Sequence, residues 1–577
     1  MLGSILLSLL LTVTVAVAQE SQRPPKPREY DYIIVGGGTA GNALATRLSQ
    51  GLKRASILVI EAGPSALHED RINVPGLKGS TLGGKYDWNF TTIPQPHLKN
   101  RTIFTPRGRV LGGTSALNLL TWGPRGSGRI RQLGSPMEKA ETYVGGPPGS
   151  GASGPIDAVI NRMLPTHQKS FIPTVSQHFP IPFNPDSLQG NPIGVMYHPE
   201  NINPTSYNRS YSANAYLPLA GPNLAILTNT QVTKTNFRPL DKKPHLHLAT
   251  GVTLADGTTL TARHQVLLCA GAIGTPQLLE LSGIGGRRHV VVVGQQQQQQ
   301  PLVVVDLPGV GENYQDHLRV QVSYRLRDDV GFGPGGDALN TNVTFAAEEW
   351  AKRKRGEAGF YDDTGGVYVF ADWKRVVAGG DDGGLVRLAK GVVVGGKGGG
   401  GGGSRDDVGL RKKLEMLGDE TVPQVEIIYS DGYTGRAHQP ADPLGKPVID
   451  PRFLDNEYDM AGVVEILKFC RRIARSEPLR SGWVEEYEPG EALVQTDEDW
   501  REYVRSTTLT VFHPMGTAAM LPRKDGGVVD PKLIVYGTAN LRVVDASIIP
   551  VQISAHPQTA VYGIAERAAE MIIAAHR

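Results

Sequence analysis

Two histidines near the C-terminal end have neighbours that could make them chemical groups. His513 stands in LTVFHPMGTAAM (residues 509–520), before a proline and a Met-Gly turn. Neutral imidazole is a suitable proton acceptor near neutral pH, and the proline would hold the ring still. The same corner could equally be a rigid piece of packed core. His556 lies in SAHPQTAV, a loop ahead of a segment in which Val561, Ile564, Ala565, Ala568 and Ile572 recur at helical spacing.

A third candidate lies at the other end of the chain, in YDYIIVGGGTAGNALATRLSQ. Ile33, Ile34 and Val35 form a short apolar strand, and Gly36, Gly38 and Gly41 form a GxGxxG turn. Leu44, Ala45 and Leu48 then give a helix its apolar face. A second strand, ASILVIEAG, ends at Glu61, at the distance where a carboxylate can accept hydrogen bonds from ribose hydroxyls. The glycines let the backbone approach a pyrophosphate, and the helix N-terminus faces its charge. These four features together predict a dinucleotide site.

Something must position these groups, and the bulk numbers bound what it is. The chain has 577 residues, a formal net charge of +3, 40% hydrophobic and 20% charged content. That predicts two intertwined domains, or one large α/β unit with an appended domain, with ample core material. No basic stripe points to nucleic acid. Cys269 sits in the strand-like run HQVLLCAGA and reads as a buried inert thiol; with Cys470 as the other cysteine, no CxxC pair or His/Cys cluster suggests a metal. The apolar start ends in Ala16-Val17-Ala18, a signal-peptide pattern over residues 1–18, too short for a stable membrane span. Sequons at Asn89, Asn100, Asn208 and Asn342 are compatible with a secreted or secretory-pathway glycoprotein.

Further blocks complete the pattern: GRVLGGTSALNLLTW (Gly108 to Trp122), GAIGTPQLLELSGIG (Gly271 to Gly285), LPGVGENYQDH (Leu307 to His317) and NLRVVDASIIP carrying Asp545 and Ala546. In this order they resemble the glucose–methanol–choline (GMC) family of FAD-dependent alcohol oxidoreductases, on its aryl-alcohol-oxidase-like branch. The resemblance implies an α/β fold: an FAD-binding Rossmann-like domain (29–150, 205–318 and 505–577) with an interleaved substrate domain (151–204 and 319–504) built on an antiparallel sheet.

The resemblance also implies site residues. Gly36, Gly38, Thr39, Ala40 and Gly41 would meet the pyrophosphate, and Glu61 with Ala62 the adenosine ribose. Val110 joins the cofactor contacts, and Asn118, Leu119, Leu120 and Thr121 would line the flavin side. Val232 would contact adenine, Asp545 and Ala546 the ribityl-phosphate, and Pro557 with Gln558 the isoalloxazine edge. Leu117 occupies the place where some members attach FAD through a histidine, which implies non-covalent FAD. His513 matches the general base and His556 its partner. The implied reaction is oxidation of a small-molecule primary alcohol, benzylic or from secondary metabolism. Hydride would pass to flavin N5, and electrons on to O2 or a quinone-type acceptor. A non-redox lyase or cyclase on the same fold, and an inactive homologue, stay open.

Other features attract no chemistry. His317 reads as a structural residue of a polar turn; His97, His167 and His438 as surface residues; Tyr86, Asp87 and Trp88 as packing. The Gln tract (Gly294 to Leu302) and the Gly-rich run 379–407 read as flexible surface insertions, and 122–154 as loop. Relative to the family pattern, the segment after Gly126 and the join following VEIIYSDGYTG are shortened, both in elements that the resemblance places near the substrate channel.

Overall fold

The computed structural model describes residues 20–21, 29–123, 141–143, 154–185, 187, 191–290, 303–330, 335–395, 408–430 and 447–576. The leader, the Gln tract, His438, most of 122–154 and the join after residue 430 lie outside them.

The first strand, Glu29–Val35, is buried on both faces, as a central parallel strand must be. It pairs in parallel with Ile57–Ile60 (Ile34 opposite Val59) and with Thr259–Leu268 (Leu267 opposite Ile34). Leu224–Leu227 and then Glu20–Ser21 extend one side of the sheet. On the other side the long strand Thr259–Leu268 has two partners. Its C-terminal end takes Leu541–Val543 in parallel, and its N-terminal end takes Lys243–Leu254 antiparallel, followed by Val232–Leu240. The chain therefore returns from its far end to complete the sheet that its start began.

Two helices cover one face. Thr39–Gly51 buries Ala40, Ala43, Leu44 and Leu48. The C-terminal helix Gln558–His576 buries Tyr562, Ala565, Ala569 and Ile572. Small residues on both faces permit close approach: a Cβ on Gly51 would stand 2.3 Å from Ile573 Cδ1. Each fully buried Leu or Ile here contributes roughly 1.5–3 kcal/mol.

A second, antiparallel sheet has Val367–Ala371 in the middle, flanked by Gly194–Tyr197 and Val425–Tyr429. Side chains alternate strictly between its faces. Val367, Val369 and Ala371 pack on a core with Phe171, Trp373 and Phe469. Tyr368 and Phe370 point the other way, with Met196. Because Glu426 pairs directly with Phe370, its side chain shares that second face.

Two expectations change. The Gly-rich run holds a helix, Gly383–Gly395, whose Leu385 and Ala389 are buried, Leu385 in the same core as Phe469. Leucine and alanine one helical turn apart outweigh the flanking glycines. His167 is 4% exposed, with its ring centroid 5.8 Å from that of Tyr429, so it is a core residue. His97 is exposed. Tyr86 and Asp87 are buried, and Trp88 stacks on Phe90, as packing requires. Cys269 is buried, and both cysteines are free thiols.

Candidate active site

The glycine turn forms a tight cradle. Gly36 has φ +104°, and a Cβ there would lie 2.4 Å from the Cys269 carbonyl oxygen; on Gly41 it would lie 1.9 Å from the Gly36 oxygen. Gly38 differs: a Cβ there would make only an ordinary contact, with Gly113 Cα at 3.7 Å. The helix that follows has no side-chain cap and no acidic residue in its first turn, which leaves its N–H groups and dipole turned into the cradle. Glu61 is buried and accepts from Gly37 N (2.9 Å) and Gly63 N (2.8 Å). Burial pushes its carboxyl up to about 7 against those two N–H groups.

Across the cradle, Asn118 donates to Gln558 Oε1 (2.6 Å) and accepts from Leu120 N and from Nη1 of the buried Arg209. Leu120 takes φ +77° to bring its N–H there. Thr121 Oγ1 is 2.7 Å from Tyr368 OH, which ties this run to the antiparallel sheet.

The histidines converge beside it. Segments 315–319 and 509–515 run antiparallel, with Leu318 opposite Thr510 and Gln315 opposite Met515. Between them, Phe512 turns left-handed at φ +67°. Asp316 holds the turn by accepting from Thr510 Oγ1 (2.6 Å) and His513 N (2.8 Å), and Arg107 donates to the Phe512 carbonyl. The turn delivers His513 edge-to-face against His556, with ring centroids 4.6 Å apart and planes at 76°. His513 Nδ1 lies 3.0 Å from His317 Nδ1; among the described residues its Nε2 has no hydrogen-bond partner.

His556 Nε2 is 2.7 Å from Glu426 Oε1. His198 Nδ1 contacts the Pro199 carbonyl, its ring packs 4.4 Å from Tyr368, and its Nε2 is buried without a partner. Burial holds three of these rings neutral: His198 near 3, His317 near 4, and His513 well below the ordinary histidine range. Burial works against ionising Glu426, yet the charge and hydrogen bond of His556 outweigh it and hold that carboxyl below its usual range.

Sequence patterns of the GMC oxidoreductase family match residues 179–319 and 430–565. The chain is 34% identical to GMC oxidoreductase family protein Mala s 12 of Malassezia sympodialis, over 95% of this chain and 93% of that one. It is 30% identical to pyranose dehydrogenase 3 of Leucoagaricus meleagris, over 98% and 96%. The chain belongs to the GMC oxidoreductase family. Solved structures of similar fold include an FAD-dependent oxidoreductase from Chaetomium thermophilum (TM-score 0.81, 27% identity, covering 95% and 100%) and a fungal aryl-alcohol oxidase (0.80, 25%, 95% and 99%). This GMC protein is thus an oxidoreductase of mixed α/β fold whose family implies FAD.

Its residues fit that cofactor. The uncapped helix start, the place of Gly38, where a Cβ would meet nothing closer than 3.7 Å, and the buried, unpartnered Nε2 of Gln558 suit a group that carries phosphates and hydrogen-bonding ring atoms. Thr39 is half-buried and Ala40 buried at the helix start, and Ala62 follows Glu61 at the strand end. Val110 is fully buried beneath the Gly112–Gly113 turn, and Val232 opens the strand after Leu227. Leu119 is 40% exposed, whereas Leu120 and Thr121 are buried. Pro557 is half-buried, directly before the last helix.

Asp545 is the exception. Its carboxylate already accepts from Gly271 N, Thr275 Oγ1, Ser547 N and Ser547 Oγ at 2.5–2.9 Å, which fills its acceptor sites. Any contact it makes with FAD falls to its backbone, as it would for Ala546. Glu426, His198, Arg209 and Asp316 were not singled out by sequence. A lone acid in the apolar strand VEIIY was the available signal for Glu426.

Proposed function

We propose that this GMC protein oxidises a primary alcohol, benzylic or from secondary metabolism, with non-covalently held FAD and with O2 or a quinone-type compound as final acceptor. The reading rests on one observation: a buried imidazole, His513, with a free Nε2, set edge-to-face against an anchored His556. Bound FAD supplies the acceptor for the hydride leaving the alcohol carbon.

The chain's own residues do the rest. His513 Nε2 takes the hydroxyl proton as the carbonyl forms, and the dry surroundings keep it neutral and ready to accept. Glu426 only accepts, so it fixes the proton of His556 on Nε2 and holds that ring against the alcohol oxygen. Leu117 offers no nucleophile for a covalent flavin link. The proposed domain division follows the two sheets: 29–150, 205–318 and 505–577 cradle FAD, while 151–204 and 319–504 close the substrate side. Residues 1–18 serve as a secretory leader, and the exposed sequons at Asn100 and Asn342 carry glycans.

The test is the visible spectrum of the purified holoprotein under anaerobic conditions, recorded with a panel of primary and benzylic alcohols. Bleaching of the flavin bands is expected, and His513→Ala should slow it about 10²–10⁴-fold with FAD still bound. A flavin spectrum that every alcohol leaves untouched overturns the reading.

A further inference from the structure

His317 touches the base His513 directly, yet the reaction above gives it no part. We propose that it sets the tautomer of His513, accepting that ring's Nδ1–H so that Nε2 is left bare for the substrate proton. The inference rests on the reading of His513 as the base and adds a positioning residue to it.

The geometry carries the argument. The two Nδ1 atoms are 3.0 Å apart, so one donates and the other accepts. His513 is buried and His317 half-buried, desolvation disfavours the charged form of both, and each neutral ring therefore has a single N–H to place. If His317 donated, the one proton of His513 would sit on Nε2, and the base would face the alcohol with a donor. The reading of His513 as the base sets the direction: its Nε2 must be bare, so its single proton lies on Nδ1, which faces His317 Nδ1 at 3.0 Å. His317 Nδ1 is then the acceptor, and the His317 proton lies on Nε2. His513 then donates from Nδ1, and its Nε2 is the bare nitrogen. His317 is held in this register by the antiparallel pairing of 315–319 with 509–515, in which its carbonyl accepts from Val511 N.

The arrangement also serves the charged state. When His513 takes the substrate proton on Nε2, its Nδ1–H becomes the donor of a charge-assisted bond to a neutral acceptor already in place. No proton has to move between the rings, and the tautomer is ready again when Nε2 gives its proton up.

Selective ¹⁵N-histidine NMR of the FAD-loaded protein reads the tautomer directly and needs no substrate. The expected result is a neutral His513 ring protonated at Nδ1, assigned by its loss in His513→Ala. His317→Leu, which keeps bulk but removes the acceptor, should shift that ring toward Nε2–H and slow flavin reduction by about tenfold or more. His317→Asn, whose Oδ1 stands near the place of Nδ1, should restore the tautomer and bring the rate to within about threefold of wild type. A wild-type His513 protonated at Nε2 overturns the proposal, as does a His317→Leu protein with wild-type tautomer and rate. If His317→Leu fails to hold FAD, the wild-type spectrum and His317→Asn still decide. Should no alcohol bleach the wild-type flavin, the alcohol reading fails by itself, and the NMR tautomer stands or falls separately.

Discussion

At the scale of single residues, the site was legible where residue type and local motif carry the chemistry, and hidden where register does. His513 and His556 stand out because each precedes a proline within a recognisable block, and the fold sets them 4.6 Å apart. Glu426 showed in sequence only as an acid in an apolar strand, because its role depends on a cross-strand partner: opposite Phe370, its side chain comes out on the face that meets His556. Glu426→Gln tests that role. The amide can still hold the ring but no longer demands a proton on Nε2, so flavin reduction should fall about 10–100-fold with FAD occupancy unchanged. Stopped-flow reduction beside the flavin absorbance of the purified variant reads both, and equal rates would remove Glu426 from the site.

The same burial gives a pH signature. His317 has its proton affinity lowered from 6.5 to about 4, so between those values the unfolded chain binds a proton that the folded one refuses. Its contribution to stability is present above pH 6.5 and is lost as pH falls toward about 4. Asp316 acts oppositely: burial pushes its carboxyl from 3.8 to about 6, a contribution present at acid pH and lost as pH rises through 6. The clean measurement is therefore a difference. The drop in Tm from pH 7 to pH 4.5 should be smaller in His317→Asn, which has nothing to titrate there, than in wild type.

At the scale of elements, the strand–turn–helix start was fully readable, because periodicity switches from strand to helix across a glycine turn in which Gly36 holds a φ of +104°. The Gly-rich run misled for the converse reason. Composition says flexible, while Leu385 finds a core to pack into and Ala389, one helical turn on, is buried. The cradle separates two kinds of glycine that look alike in sequence. Gly41 meets the protein itself, with a Cβ 1.9 Å from the Gly36 oxygen, so Gly41→Ala should disrupt the strand–helix packing and lower the yield of folded protein. A Cβ on Gly38 would make only an ordinary contact, with Gly113 Cα at 3.7 Å, and its φ of −88° suits any residue. Gly38→Ala should therefore leave the Tm of FAD-stripped protein within about 2 °C of wild type, yet weaken FAD retention measurably in dialysis. An equal loss of apo stability in both variants would show that Gly38 is structural.

At the scale of the whole molecule, the proposed active centre belongs to neither sheet alone. His513 and His556 come from the chain's return to the parallel sheet, Glu426 and Tyr368 from the antiparallel one, and the Thr121–Tyr368 hydroxyl pair joins them. The outer surface carries the remaining prediction. Asn100 and Asn342 are exposed, and Asn342 caps the helix Val343–Lys354 through its Oδ1, accepting from Phe345 N, which leaves Nδ2 for a sugar. Asn208 is half-buried, with its Oδ1 bonded to Arg353 at 2.6 Å, and Asn89 is half-buried in a left-handed turn between buried Tyr86 and Phe90. A bulky, solvated glycan is compatible with the first two places and would press on packed side chains at the others. Protein expressed with its own leader should show, after enzymatic deglycosylation in ¹⁸O water and peptide mapping, labelled aspartate at positions 100 and 342 and unmodified asparagine at 89 and 208. Unmodified asparagine at all four would remove the secretory reading and leave the FAD and histidine arguments intact, because those rest on the interior.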